Sequence, residues 1–521
     1  MWDNIPIKSM KPIKQILIVG GGSAGWMTAA TLAKLFPNKK IKLIESPNIK
    51  TVGVGESTIS RIRAWCALIG LKDKEFIKAT DASIKLSIKF TDFRKKGESF
   101  HYPFGRLCTA GNKTGVNDWW FKKEAFPKTP LNDYADCMSP QMALVNGNKY
   151  TDQPIPDLDF NYQKDSAFHF DATKFGIWLR DNICKPNGVK HIKEEIKSIE
   201  QNEDGILSLN KKHKADLYID CTGFKSMLLE KTLKEPFENL EHMLPNNSAW
   251  ATRIPYTNKK QQLNLYTNCT AYNNGWIWNI PLWSRMGTGY VYSDKFISDD
   301  DALKEFKTYL GTKDLDFKKI KMRVGIQKRL WVKNVVAIGL SAGFIEPLES
   351  NGLYSVHEFL FHLSRTLRRD IVTQYEKDAF SFACKHAFYV FAEFVAMHYA
   401  LSQRTDTPYW KANYNKTWDD GVVNLRPVLA GYFLQAAFNK YKDFKNGADH
   451  GFSFISAGMD YAPADKISLM YENVFYDTKE LRTDLKEIAK HLNSKKTLWN
   501  NAVKKVPSLY DYLKKIHENN K

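Results

Sequence analysis

The 521-residue chain contains no Cys-x-x-Cys pair. Its seven cysteines stand far apart, at positions 66, 108, 137, 184, 221, 269 and 384. That spacing excludes a disulfide scaffold and a cysteine-type zinc site, and it fits a reducing compartment. The twelve histidines show no HxxxH-type spacing beside acids, so no metal ligands are expected. No apolar run of about 18–20 residues free of charge occurs. The best candidate, residues 16–35, holds four glycines and Lys34, and it reads as a strand, a turn and a helix. The opening MWDNIPIKSMKPIKQ has no apolar core of a secretory signal. A soluble cytoplasmic protein with no membrane contact is expected. Long basic blocks are also missing, although the net charge is +19. The excess reads as a lysine-rich surface, and no nucleic acid partner is expected.

What is present is a large packed core. Hydrophobic residues make up 43% of the chain and aromatics 13%, which excludes a disordered chain. At roughly 100–200 residues per domain, the length allows about three domains, or two with one enlarged. Residues QILIVG (15–20), AGWMTAATLAKLF (24–36) and KIKLIE (40–45) read as a β-α-β unit. Further β-rich zones cover 193–224, with a hairpin signal at Asp204-Gly205 and a strand at 217–219, and 275–296. From about residue 351 the pattern is helical. The segment 97–165, rich in Gly, Pro, Asn and aromatics, reads as insertions that cover a substrate surface. The expected class is α/β (α+β): a GxGxxG dinucleotide-binding module over 1–375 and a mainly helical substrate-binding part over 376–521.

The first chemical signal is GGGSAG, with Gly20, Gly22 and Gly25 in the GxGxxG register. Glycines there let a pyrophosphate approach the backbone and sit at the N-terminus of the helix that begins near Ala24. Glu45 closes the next strand, where an acid can accept hydrogen bonds from ribose hydroxyls. A second fingerprint of this kind is absent, which favours FAD over NAD. In VVAIGLSAGFIEPLESNG (335–352), a strand feeds a glycine-bearing loop and a helix starting near Ser350-Asn351-Gly352. Unpaired N–H groups at such a start can hold an anion, but Ser350 as an ordinary helix cap explains the same pattern. In SIKLSIKF (83–90), Ile84, Leu86, Ile88 and Phe90 fall on one face and Lys85, Ser87 and Lys89 on the other. By periodicity, Lys85 is a solvated charge on a half-buried strand, and Glu346 and Glu349 are helix-start carboxylates.

GGGSAGWMTA, GVGEST, ASIKLSIKF, GWIWNIP and EPLESNG occur in this order, followed by RTDTPYW (404–410). The set resembles the flavin-dependent tryptophan halogenases over most of residues 14–410. Trp276-Ile277-Trp278-Asn279-Ile280-Pro281 matches that family's WxWxIP signature. The resemblance implies a flavin-monooxygenase-type module and FADH2 supplied by a separate flavin reductase. Dioxygen and a halide ion (chloride, bromide or iodide) would then yield hypohalous acid. That acid would pass through a tunnel to an electron-rich aromatic substrate. Lys85 would activate it, and Glu349 would assist and take the ring proton. The halide would sit on the amides of Asn351 and Gly352. Flavin contacts carry over to Gly22, Ser23, Ala24, Gly25, Glu45, Ser46, Ile49, Glu56, Ile196, Leu340 and Leu353, beside Gly20 of the fingerprint. A flavin-dependent aromatic hydroxylase of the same fold is the alternative activity. The oligomeric state stays open, a homo-oligomer included.

The chain departs from the family pattern in ways that bear on substrate. Asn351 replaces the usual Thr of the halide loop. Tryptophan-specific members carry a His-x-Phe clamp, whereas FHYPFG (100–105) places Tyr102, Pro103 and Phe104 there, with His101 one register away. The local counterpart of the amino-acid-binding stretch, FKNGADHGFSFISAGMDYAP (444–463), has neither Trp nor Glu. A site without those groups loses its hold on both ends of an amino acid. An indole- or phenol-like substrate other than free tryptophan is therefore expected.

Overall fold

The computed structural model describes residues 12–49, 55–113, 118–312, 314–369, 371–416, 448–461 and 478–518. The opening β-α-β unit forms as its periodicity dictates. Gln15–Val19 and Lys40–Glu45 pair in parallel, and Ser23–Leu35 is the helix between them. Both strands belong to a six-stranded sheet, ordered 331–332, 335–337, 217–220, 15–19, 40–45, 190–193. Every neighbour pair in it is parallel except the first. Ile16, Leu17, Ile18 and Val19 are all buried, the continuous apolar run that a strand covered on both faces requires.

A seven-stranded sheet forms the second layer, ordered 318–321, 248–254, 286–292, 275–281, 266–272, 87–91, 99–103. Its pairs are antiparallel except for Tyr266–Tyr272 with Ser87–Thr91. A small third sheet joins Glu56–Ser57 and Ser83–Lys85 to the two sides of Ala167–Phe170. The hairpin at Asp204-Gly205 forms between Ile199–Asn202 and Gly205–Leu209. Within 97–165, the strand Ser99–Pro103 is followed by short helices joined by loops, as at 104–112 and 150–161. After residue 351 every element among the described residues is helical, the longest being Gln374–Ala400 and Thr478–Ala502. Thr373 and Glu376 cap the former reciprocally. The mixed α/β class with a mainly helical C-terminal part is thus realised. One apolar core runs from Ile16 to Leu513 and joins the parts.

The periodic reading of 83–90 needs correction. The run is not one half-solvated strand. It breaks at Leu86, so Ser83–Lys85 serves the small sheet and Ser87–Thr91 the large one. Both sides of the break are covered. Lys85 and Ser87 are as fully buried as Ile84 and Leu86. Among the described residues, no helix is long and apolar enough to cross a membrane, and no cluster of His, Cys, Asp or Glu could hold a metal ion.

Candidate active site

The glycines of the first turn meet separate steric demands. Gly20 has φ of +114°, and a Cβ there would lie 2.2 Å from the carbonyl oxygen of Cys221. A Cβ on Gly25 would lie 1.9 Å from the Gly20 carbonyl oxygen, which sets how closely helix and strand approach. Gly21, outside the fingerprint, is also constrained, because a Cβ would lie 2.7 Å from the Glu45 Cβ, which cannot swing away as the carboxylate end can. Gly22 differs: nothing lies within 4 Å of where its Cβ would be. It caps the helix Ser23–Leu35 without a side-chain bond, and no acid stands in the first turn. The helix start is therefore open to an anion, as a pyrophosphate needs. This cradle fits the FAD expected from the sequence. Gly22→Val should leave the thermal midpoint nearly unchanged, since φ of −75° suits any residue and the space is free. FAD affinity, read by fluorescence titration, should fall at least about tenfold, one hydrogen-bonded phosphate approach being lost.

Ser23 and Ala24 open this helix. Glu45 stands at the end of its strand, where His191 Nε2 lies 2.7 Å from its Oε1. Sequence reading missed His191, whose strand is reached only through the parallel pairing of 190–193 with 42–45. Ser46, Ile49 and Ile196 gather at the same edge. Glu194 N–H donates to the Glu45 carbonyl, and Asn48 Nδ2 to Glu195 Oε2 at 3.4 Å. Ile49 is 63% exposed, unusual for a large apolar side chain. Leu340 is likewise exposed and follows Gly339, whose own Cβ would lie 2.7 Å from that of Ala24. Leu353 is buried in the helix Gly352–Leu367, which packs against Ser23–Leu35. Glu56 is half-buried on its short strand. Desolvation, with Asp171 adding, pushes its carboxyl up to about 7. Residues 51–54 of the TVGVGEST run lie outside the described residues.

The turn before the helix Gly352–Leu367 is built differently from a plain cap. Pro347–Glu349 is one 3₁₀ turn, and Ser350 ends it in the left-handed region at φ +57°. Such a conformation in a non-glycine residue costs roughly 1 kcal/mol or more and has to be held by its surroundings. Asn351, not Ser350, is the helix cap. Its side chain turns back to the Glu346 carbonyl at 2.8 Å and leaves the first amides uncapped. Asn351 and Gly352 thus lie at a helix start suited to a halide.

The Ser350 hydroxyl, with no capping role, holds the lysine instead: Lys85 Nζ donates to its Oγ at 2.8 Å. Lys85 is fully buried, with its amine 5.0 Å from the centre of the Phe104 ring. Burial pulls its pKa down to about 7, against the opposing pull of Cys269 and Glu349. Glu349 is also fully buried, and desolvation raises its pKa against His398 and Lys85. His398 Nε2 lies 2.8 Å from Glu349 Oε1. The other ring nitrogen, Nδ1, faces the carbonyls of Phe394 and Val395 at 3.1 and 3.2 Å, so it carries a hydrogen. His398 was invisible in the sequence, set inside a 27-residue helix. Behind this pair, buried Glu346 accepts from Asn246 at 2.7 Å and from Tyr399, and Tyr409 of the RTDTPYW motif donates to Asn246 at 3.0 Å. Burial pushes the Glu346 carboxyl up to about 7.

The proposed substrate residues divide by strand alternation. Tyr102 packs edge-on against Phe104 at 5.8 Å, on the Lys85 side. His101 and Pro103 take the other face, and His101 accepts or donates to Ser87 at 2.9 Å and meets the Tyr266 ring. His101 therefore does not replace the missing clamp histidine. The helix Ala448–Gly458 completes the aromatic wall. Phe454 lies 5.9 Å from Tyr102, and Phe452 lies 5.1 Å from Phe394, which itself touches Tyr102 and His398. Residues 444–447 and 462–463 of the FKNGADHGFSFISAGMDYAP stretch fall outside the described residues. The second tryptophan of GWIWNIP fixes a glycine on the neighbouring strand, since a Cβ on Gly289 would lie 2.1 Å from the Trp278 ring.

The chain is similar to known proteins over nearly its whole length. Tryptophan 6-halogenase ThaL of Streptomyces albogriseolus is 31% identical over 97% of this chain and 99% of its own length. The solved structure of apo VirX1 superposes with a TM-score of 0.83 at 40% identity, covering 96% of this chain and 99% of that one. BrvH, a flavin-dependent halogenase from Brevundimonas sp. BAL3, superposes at 0.81 with 29% identity, covering 97% and 99%. The tryptophan halogenase family model matches residues 15–466. That match runs from the first strand of the dinucleotide cradle to beyond the aromatic helix beside Tyr102, so the chain belongs to the tryptophan halogenase family, a family of flavin-dependent enzymes.

Proposed function

We propose that this enzyme halogenates an electron-rich arene, indole- or phenol-like, in preference to free tryptophan, and that Lys85 and Glu349 carry the transfer. Bound FAD, reduced by a separate flavin reductase, supplies with dioxygen the oxidation of a halide to hypohalous acid. Gly20, Gly22, Gly25 and the start of Ser23–Leu35 hold its pyrophosphate, Glu45 its ribose, and Asn351 and Gly352 the halide. The acid reaches Lys85 by an enclosed passage. The remaining chemistry belongs to this chain. Protonated Lys85 donates a hydrogen bond to the hypohalous oxygen. The arene's electron pair forms the new carbon–halogen bond as the oxygen–halogen bond breaks. That oxygen takes the lysine proton and leaves as water. The ring proton goes to Glu349, whose carboxyl then returns a proton to Lys85. One observation carries the reading: a fully buried amine held against Ser350 and an aromatic ring, within reach of the charge of a fully buried carboxylate. Water exclusion keeps the oxidant from random targets. The apolar wall of Tyr102, Phe104, Phe394 and Phe454 supports a flat aromatic substrate.

The test is a panel of indoles, phenols and free tryptophan with FAD, NADH, a generic flavin reductase and each halide, read by mass spectrometry. Halogenated indoles or phenols in excess over halotryptophan are expected. Hydroxylated products independent of halide would establish the hydroxylase instead. The turnover rate should also be bell-shaped in pH. The ammonium of Lys85 is lost as pH rises through about 7. The carboxylate of Glu349 is lost as pH falls through its raised pKa. The rate therefore falls on both sides.

A further inference from the structure

Lys85 is the first member of a chain of buried groups that reaches well beyond the site described above. Its amine donates to Ser350 Oγ at 2.8 Å, and Ser350 Oγ donates to Ser57 Oγ at 3.0 Å. Ser57 Oγ meets Thr267 Oγ1 at 2.7 Å, and Thr267 Oγ1 meets His169 Nε2 at 2.9 Å. His169 Nδ1 meets Ser83 Oγ at 3.2 Å, and Ser83 Oγ donates to the carbonyl of Pro281, the last residue of GWIWNIP. All five side chains after Lys85 are at most 8% exposed, so bulk water does not compete for these bonds.

The direction of every bond follows from the far end. A carbonyl only accepts, so the Ser83 hydrogen is spent on Pro281, and Ser83 can only accept from His169. Nδ1 therefore carries the hydrogen. Burial and the Lys85 charge hold the His169 pKa well below its ordinary value, which keeps the ring neutral and Nε2 bare. Thr267 must donate to Nε2, Ser57 to Thr267, and Ser350 to Ser57. Ser350 is left with only lone pairs for Lys85.

We propose that His169 and Thr267 are positioning residues for Lys85. Through Ser57 and Ser350 they fix a one-way hydrogen-bond chain that holds one N–H of the amine, favours the ammonium and leaves its other N–H bonds for the oxidant. Aligned bonds polarise one another, so Ser350 accepts more strongly than an isolated hydroxyl. The inference rests on the halogenase reading for its function but not for its geometry. The charged and titratable groups that act on Lys85 are Glu349 (itself paired with His398), Cys269 and His169. Changing Thr267 replaces none of them.

Thr267→Val keeps the shape and removes the hydroxyl. Ser57 then turns its hydrogen back towards Ser350, and Ser350 donates to the neutral amine. Two readouts test this. In cofactor-free protein labelled with [ε-¹³C]lysine, with Lys85 assigned by Lys85→Met, the titration midpoint of Lys85 should fall by about one unit, the scale of one charge-assisted hydrogen bond. In the halogenation assay, the high-pH limb should move down by the same amount, with about tenfold lower turnover at pH 8 and unchanged KM. Thr267→Ser should return both towards wild type. Should Thr267→Val not fold, Ser57→Ala breaks the chain one link nearer and should give the same shift. An unmoved midpoint, or an equal loss of rate at every pH, overturns the proposal. A moved midpoint in a protein that halogenates nothing leaves the chain standing and refutes the halogenase reading alone.

Discussion

Lys85→Ala should lower arene halogenation by more than about 10³-fold, the scale of removing one preorganised donor from a dry site, with FAD affinity unchanged. The reasons are geometric. The amine is the cationic donor beside the aromatic wall formed by Phe104 and Tyr102, and it is held from behind by Ser350. Alanine leaves nothing that reaches the oxidant. The glycine cradle for FAD follows a strand of the six-stranded sheet, whereas Lys85 lies in the small third sheet, and no atom of Lys85 is among the close neighbours of those glycines. Flavin titration and product quantification on the same preparation separate the two effects. Halogenation within tenfold of wild type would remove Lys85 from the mechanism.

Glu349→Gln should slow turnover by about 10²-fold or more, within the usual range for losing a general base. The amide is isosteric, so the buried packing around residue 349 survives. It cannot take the ring proton. The loss should fall on kcat rather than KM, because the role proposed for the carboxylate is on the ring proton rather than in substrate docking. With a substrate deuterated at the reacting carbon, the variant should also show an isotope effect larger than wild type. A rate within about a factor of two of wild type would show that another group takes the proton.

The parts of this protein legible in its sequence are those set by neighbours along the chain. The β-α-β unit follows from alternation and helical spacing within residues 15–45, and its glycines from the needs of one tight turn. Gly21 escaped notice because its constraint comes from Glu45 across the sheet. Lys85 shows the limit most clearly. Period-two alternation says which side of a strand a residue takes, but not what covers that side. The cover is the Ser350 turn, 265 residues away, together with the helices beyond it. Ser350 itself looks like a common helix cap, and only its left-handed backbone shows that the hydroxyl points elsewhere. His398 sits among Phe394, Val395 and Tyr399 in a long apolar helix, where nothing local sets it apart from a core histidine. The family resemblance supplied Lys85 and Glu349 because it carries long-range information that periodicity lacks.

The role proposed for Lys85 is to catch an oxidised halogen inside the protein and pass it to an arene. The most direct test measures where that halogen goes. Wild type and Lys85→Ala are run with bromide, FAD, reductase and NADH, and brominated arene and free hypobromite are counted together with a fast-reacting trap in solution. Wild type should place nearly all oxidised bromine on the arene. Lys85→Ala should oxidise bromide at a similar rate and lose nearly all of it to the trap. The same division between arene and trap in both proteins would contradict the account.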